Sequence, residues 1–291
     1  MTGTRTERVA ETGERAIPDR APGAPAGPAG IGREWLFLAA GALLFAASAG
    51  ATIYLHGGMA GSMATPIAGA MGMPGSAVAA PWAPMPGQSW LGAGVSFLGM
   101  WVVMMVAMMQ PALVPVLSSY RRQVVALGGS GPGRAAALAG VGYFLVWTAF
   151  GAVAFPLGAV AAAGLVRWPA VARAVPVATG AVLLLAGWFQ MTRWKAGQLE
   201  RCRSGPACGP PPTGHARSAW RFGLRLGLHC ALCCAGLMVA LLVTGVMDLV
   251  VMAVVACAIT LERLAPWPRL AARTAGAVAL GAGAVALVRA L

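Results

Sequence analysis

The sequence predicts an all-α protein, a polytopic bundle of about seven transmembrane helices with its N-terminus in the cytoplasm. Of its 291 residues, 58% are hydrophobic and only 10% are charged, and the mean hydropathy is +0.74. Soluble domains carry about 25% charged residues, so a chain this apolar cannot cover its surface with polar groups. Long uncharged runs and an uneven distribution of Lys and Arg along the chain support the same class.

The chain divides into a tail, residues 1–33, and a transmembrane helical domain, residues 34–291. The tail is rich in Arg, Glu, Pro, Gly and Ala and has almost no large apolar residue, which predicts a disordered cytoplasmic segment. About 20 apolar residues in a helix cross the ~30 Å of bilayer hydrocarbon. By this criterion the predicted spans are 35–55, 90–117, 135–166, 171–191, 222–243, 246–264 and 270–291. Because the first run ends in small residues, cleavage of residues 35–49 as a signal peptide is an alternative.

The orientation follows from Lys and Arg, which are enriched in cytoplasmic loops. With the N-terminus inside, all 21 of them fall on the cytoplasmic side except Arg167, Arg173 and Arg289. We therefore predict a multi-pass protein of the bacterial inner (cytoplasmic) membrane whose surroundings are the lipid bilayer. The net charge of +13 does not indicate a nucleic-acid partner, because no soluble domain is present to display a basic face.

The predicted outer loop, residues 56–88, is rich in methionine although its Gly/Pro/Ala composition leaves no core to fill. His56, Met59 and Met63 lie at its start. Thioether and imidazole groups are suited to Cu(I), and a thioether needs no deprotonation to bind it. The loop therefore predicts a site that collects a soft metal, and contact with the membrane surface is the alternative.

The second predicted span carries a cluster of methionines. Met100, Met104 and Met108 recur every four residues and share one helix face, and Met105 lies on the neighbouring ridge. Such a pattern fits either metal ligands or ordinary packing.

The fifth predicted span contains the segment "LHCALCC". At about 100° per residue, His229, Cys230, Cys233 and Cys234 fall within roughly 140° of the helix circumference. Thiol and imidazole are ligands of Cu(I) and Zn(II), so we predict a transition-metal site, most simply copper(I) with zinc as the alternative. Since one helix cannot complete a coordination shell, we expect donors from the second span and from Cys257 in the sixth. Buried cysteines also occur as small apolar residues, and Cys230 with Cys233 could exchange disulfides.

Other polar residues give weaker signals. The spacing of Cys202 and Cys208 matches no zinc motif, Asp248 is placed to cap the sixth span, and Glu262 with Arg263 fits an interfacial anchor. The sequence shows no Ser/His/Asp set, phosphate-binding loop or paired intramembrane carboxylates, which argues against hydrolysis and ATP use.

Four stretches resemble a bacterial family of predicted metal-binding integral membrane proteins defined by a domain of unknown function. They are "MWVVMMVAMMQPALVP" (100–115), "GYFLVWTAFG" (142–151), "AGWFQMTRWKAGQLERCRSGP" (186–206) and a segment over 223–266 that begins "GLRLGLHCALCCAGLM". The resemblance covers about residues 95–270 and implies a metal-binding core there. The chain departs from the family at Asp248, where an amide is usual, and at Ala235, where an aromatic residue is usual.

Together these observations predict a membrane protein that binds a soft transition metal for uptake, relay or handover. A periplasmic or cytoplasmic metal carrier is the expected partner. The alternatives are a membrane thiol–disulfide oxidoreductase that uses Cys230 and Cys233, and a non-catalytic subunit of a membrane complex.

Overall fold

The computed structural model describes residues 28–63, 82, 84, 87–204, 214–245 and 248–290, and within these ranges the chain forms eight α-helices and no strand. The helices are α1 Pro28–Met63, α2 Trp90–Ala126, α3 Pro132–Arg167, α4 Pro169–Gln190, α5 Arg193–Ser204, α6 Ala216–Thr244, α7 Leu249–Leu264 and α8 Pro268–Ala290. The all-α prediction is therefore confirmed.

Six of the helices in the described ranges, α1, α2, α3, α4, α6 and α8, are long and apolar enough to cross a membrane. The predicted sixth span is α7, which has only 16 residues. At about 1.5 Å per residue it reaches roughly 24 Å, less than the ~30 Å of bilayer hydrocarbon. The structure thus supports a membrane bundle, and a seventh crossing and the orientation remain predictions.

Several helices begin earlier or end later than the hydropathy pattern predicts. Helix α1 starts at Pro28, inside the predicted tail, and continues to Met63, inside the predicted outer loop. Helix α2 runs to Ala126, past Pro111 and Pro115. Hydropathy locates the apolar middle of a helix, whereas backbone hydrogen bonds extend it into polar segments. Residues 1–27, 64–81 and most of 83–86 lie outside the described residues.

Glycines allow α3 and α6 to pack with their backbones in contact. A Cβ atom at Gly223 would collide with the Ala139 carbonyl, and one at Gly227 would lie 2.8 Å from the Tyr143 carbonyl oxygen. Small residues at such points let transmembrane helices approach closely. Packing of the two helices therefore requires glycine at positions 223 and 227.

The connection between α4 and α6, predicted as a basic cytoplasmic loop, contains the short helix α5. Lys195, Gln198, Leu199 and Cys202 recur at the i, i+3, i+4, i+7 spacing of one helix face, and all four are buried. Helix α5 packs against α6 and α7 through this face. The structure thereby brings a thiol, a lysine and an amide from outside the predicted spans to the centre of the bundle.

Candidate metal centre

Three buried cysteine thiols meet where α5 packs on α6. Cys230 and Cys233 lie one helical turn apart on α6, and Cys202 comes from α5. Their three Sγ atoms all lie within 4.8 Å of one another, and each residue is fully buried. Thiolate ligands within this distance are close enough to bind a single soft metal ion.

Cys234 adds a fourth sulfur to this site. Its Sγ lies 3.6 Å from the Cys233 Sγ and 3.9 Å from the Cys230 Sγ. All four cysteines are free thiols. We call Cys202, Cys230, Cys233 and Cys234 the thiol cluster.

The spacing of Cys202 from Cys208 does not predict a role for Cys202, because it matches no zinc motif. The available signal was the helical periodicity of α5, on which Cys202 follows Lys195 by seven residues. The hydrogen bond between the Cys202 and Cys230 thiols, with burial as a further cause, raises the pKa of Cys202 to about 12. A metal ion that binds Cys202 as a thiolate therefore displaces a proton at neutral pH.

Arg263 is buried against the thiol cluster, which corrects its prediction as an interfacial anchor. Its Nη1 lies 3.3 Å from the Cys230 Sγ and 3.4 Å from the Tyr143 hydroxyl, and that hydroxyl donates to the same sulfur at 3.0 Å. A guanidinium remains charged at any physiological pH and tolerates burial when it is paired. It places a fixed positive charge beside sulfurs that become negative when they bind metal.

Glu262 is likewise buried rather than interfacial, and it forms an ion pair with Lys195. Lys195 Nζ lies 2.7 Å from Glu262 Oε2 and also donates to the Cys233 carbonyl. Gln190 donates from Nε2 to the other carboxylate oxygen at 2.8 Å. This network joins α4, α5, α6 and α7, and it touches the thiol cluster at the Cys233 carbonyl. Buried charges persist only with such partners.

The other predicted ligands differ in burial and in their relation to the thiol cluster. His229 is half-buried, and its Nδ1 lies 3.3 Å from Gln198 Oε1. The four methionines of α2 predicted as ligands are buried in the same apolar core as the thiol cluster; they are Met100, Met104, Met105 and Met108. Cys257 is exposed, so it is not part of the buried cluster.

The three residues predicted to start the outer loop lie on the last turns of α1. They are His56, Met59 and Met63, and their side chains lie outside the described residues. Asp248 is the N-cap of α7, as predicted: its Oδ1 accepts from the backbone amides of Val250 and Val251 at 2.8 and 3.0 Å.

Comparison with known proteins gives one family. The model of that family, described as "PpoB2: Copper chaperone", matches residues 98–286, which contain α3 to α7 and most of α2 and α8. No curated protein and no solved structure gives a significant match to the chain. The match spans well over half of the chain and includes every residue of the thiol cluster. The expected metal-related family is thereby confirmed in its general form, and the chain belongs to the PpoB2 copper chaperone family.

Proposed function

We propose that this protein is a membrane-embedded copper chaperone that holds Cu(I) in the thiol cluster and hands it on. The observation that carries the proposal is the convergence of Cys202, Cys230 and Cys233 from two helices, with all three Sγ atoms within 4.8 Å. Thiolates are soft ligands and favour Cu(I). The copper ion is the cargo of this site.

The charges around the thiol cluster favour a monovalent ion held by few thiolates. Lys195 and Glu262 neutralise one another, which among the described residues leaves the Arg263 guanidinium as the unbalanced charge in contact with the thiol cluster. Cu(I) bound by two thiolates carries a net charge of −1, which Arg263 balances. A further sulfur can bind as a neutral thiol or thioether at no additional cost in buried charge.

The fourth sulfur and the methionines of α2 supply a route for transfer. Cys234 lies within 4 Å of two other sulfurs, so an ion can exchange one ligand at a time without leaving the cluster. Met104 and Met108 are buried in the same core and are neutral donors for Cu(I). In this proposal His56, Met59 and Met63 collect the ion outside the inner membrane, His229 assists its transfer, and a soluble metal carrier receives it.

The test is the copper content of purified protein loaded with Cu(I) under reducing conditions. We expect the triple variant C230S/C233S/C234S to lose copper binding, because it leaves Cys202 as the one remaining sulfur of the thiol cluster. Cys257→Ser is the matched control and should bind as much copper as the unmodified protein, since Cys257 is exposed. Equal copper in the two variants would refute the proposed site.

The same samples distinguish copper from zinc. Zn(II) prefers four ligands in a tetrahedral arrangement, whereas Cu(I) accepts fewer sulfurs. Loading with each metal in separate samples, followed by competition between them, should leave copper bound and release zinc.

A further inference from the structure

A cavity of about 530 Å³ lies beside the ends of α4, α5 and α8, apart from the thiol cluster. Its polar lining includes Gln190 from α4, Arg193 and Glu200 from α5, and Arg269 and Arg273 from α8. A cavity of this volume is within the range of small-molecule sites. Nothing in the proposed copper transfer uses it.

The cavity is positively charged. Its lining contains three arginines, Arg193, Arg269 and Arg273, and one carboxylate, Glu200. Arg269 on α8 pairs with Glu200 on α5 at 2.7 Å. This leaves an excess of two positive charges, which is suited to an anion. Arginine in particular presents paired donors that match a phosphate group.

Gln190 gives a second and independent indication of a ligand. Only 2% of the residue is exposed, and its Nε2 is committed to Glu262 because a carboxylate can only accept. The Oε1 atom of Gln190 is left with no hydrogen-bond partner among the described residues. A buried acceptor without a partner lowers the stability of the folded state, because it has lost its hydrogen bonds to water. The missing partner must be a donor, and a ligand that carries a hydroxyl or ammonium group as well as negative charge would supply one.

The position of the cavity indicates where that ligand comes from. Gln190 ends α4 and Pro268 begins α8, two helices long enough to cross a membrane. Three tryptophans within a few residues of the cavity lining are exposed: Trp188, Trp194 and Trp267. Exposed tryptophans gather at the level of lipid headgroups. The cavity therefore opens at the membrane–water interface.

We propose that this cavity binds the headgroup of an anionic glycerophospholipid, an inference that rests on the membrane placement in the proposed function. Arg269 and Arg273 would bind the phosphate, and a headgroup hydroxyl would donate to Gln190 Oε1. Helix α5 forms one wall, and its opposite face carries Lys195 and Cys202. The headgroup would therefore bind on the side of α5 that faces away from the thiol cluster.

The experiment measures lipid retained by the intact protein after extraction from nanodiscs of phosphatidylcholine containing phosphatidylglycerol, using native mass spectrometry. We expect Arg273→Ala to retain about fivefold less phosphatidylglycerol, since one basic residue at a membrane surface contributes that much binding. Arg289→Ala is the matched control, because Arg289 is exposed near the opposite end of the same helix. It should retain as much as the unmodified protein.

Two results would overturn the proposal. One is equal retention of phosphatidylglycerol by the unmodified protein and by the double variant R269A/R273A. The other is equally tight binding of free glycerol phosphate in pure phosphatidylcholine nanodiscs, which would assign the cavity to a soluble phosphate. If the double variant does not assemble, competition between the two lipids on the unmodified protein decides, and we expect phosphatidylglycerol to be enriched.

Copper content measured on the same samples separates this proposal from the proposed function. Arg273→Ala should bind copper in the same ratio as the control. Loss of lipid selectivity with copper retained tests the cavity alone, whereas absence of copper from every sample would count against the thiol cluster.

Discussion

The α4–α8 pair and the α5–α6–α7 region are both tightly packed, but different forces hold them. In the α4–α8 pair, Gly187 and Gly276 bring the two backbones into contact. Gly180 and Gly283 make the same kind of contact two helical turns away. In the α5–α6–α7 region, an ion pair, a guanidinium and four thiols fill the interior. The α4–α8 pair is held by close packing of backbones. The α5–α6–α7 region is held by electrostatic pairing, so the charge of a bound metal ion changes the stability of that region directly.

The largest expected effect comes from breaking the ion pair in the α5–α6–α7 region. Lys195→Met leaves Glu262 as a buried charge without its cation, and such a loss costs about 3–5 kcal/mol. We expect a large drop in the free energy of unfolding, measured by denaturant titration in detergent micelles. The double variant K195M/E262L should recover much of that loss, because it removes both charges. A double variant as unstable as K195M would show that the pair is not held electrostatically.

A smaller effect is expected from breaking the contact of the α4–α8 pair. A Cβ atom at Gly187 would lie 2.8 Å from the Gly276 carbonyl oxygen, so Gly187→Ala should cost about 1–3 kcal/mol through overpacking. Gly281→Ala on α8 is the control, since nothing lies within 4 Å of its added methyl group. Thermal unfolding should separate the two variants. Copper bound per folded protein should remain unchanged in both, and a parallel loss of copper would contradict the independence of the two regions.

Arg263 sharpens the comparison, because here we expect copper affinity to fall more than stability. Arg263→Lys keeps the charge but loses the planar donors that contact Cys230 and Tyr143. Outer-sphere contacts of this kind contribute about 10–100-fold to metal affinity. Competition with a Cu(I) chelator of known affinity would measure the change. An affinity equal to that of the unmodified protein would mean that Arg263 acts only in packing.

The smallest expected effect lies outside both regions, at the start of α7. Asp248→Ala removes the side chain that caps Val250 and Val251, which should cost about 1 kcal/mol. Asp248→Asn retains a capping oxygen and should stay close to the unmodified protein in thermal unfolding. Copper binding should be the same in both variants, because the exposed cap is remote from the buried thiols.

The sequence by itself determined the all-helical, apolar class, the shared helix face of Cys230 and Cys233, and the cap at Asp248. These properties are local: each depends on composition or on the 3.6-residue period of one helix. The same period placed His229 on that face but could not show that it pairs with Gln198 rather than joining the three thiols.

Only the tertiary structure decided that Cys202, Arg263 and the Lys195–Glu262 pair surround those thiols. Cys202 and Cys230 are separated along the chain by the end of α5 and a segment that includes residues 205–213, so no spacing rule connects them. Hydropathy assigns lysine, arginine and glutamate to water, because it scores each residue without its partner. Burial of the Lys195–Glu262 pair became possible only when α5 folded onto α7, since the two charges met in that contact. Arg263 meets Cys230 in the separate contact between α7 and α6.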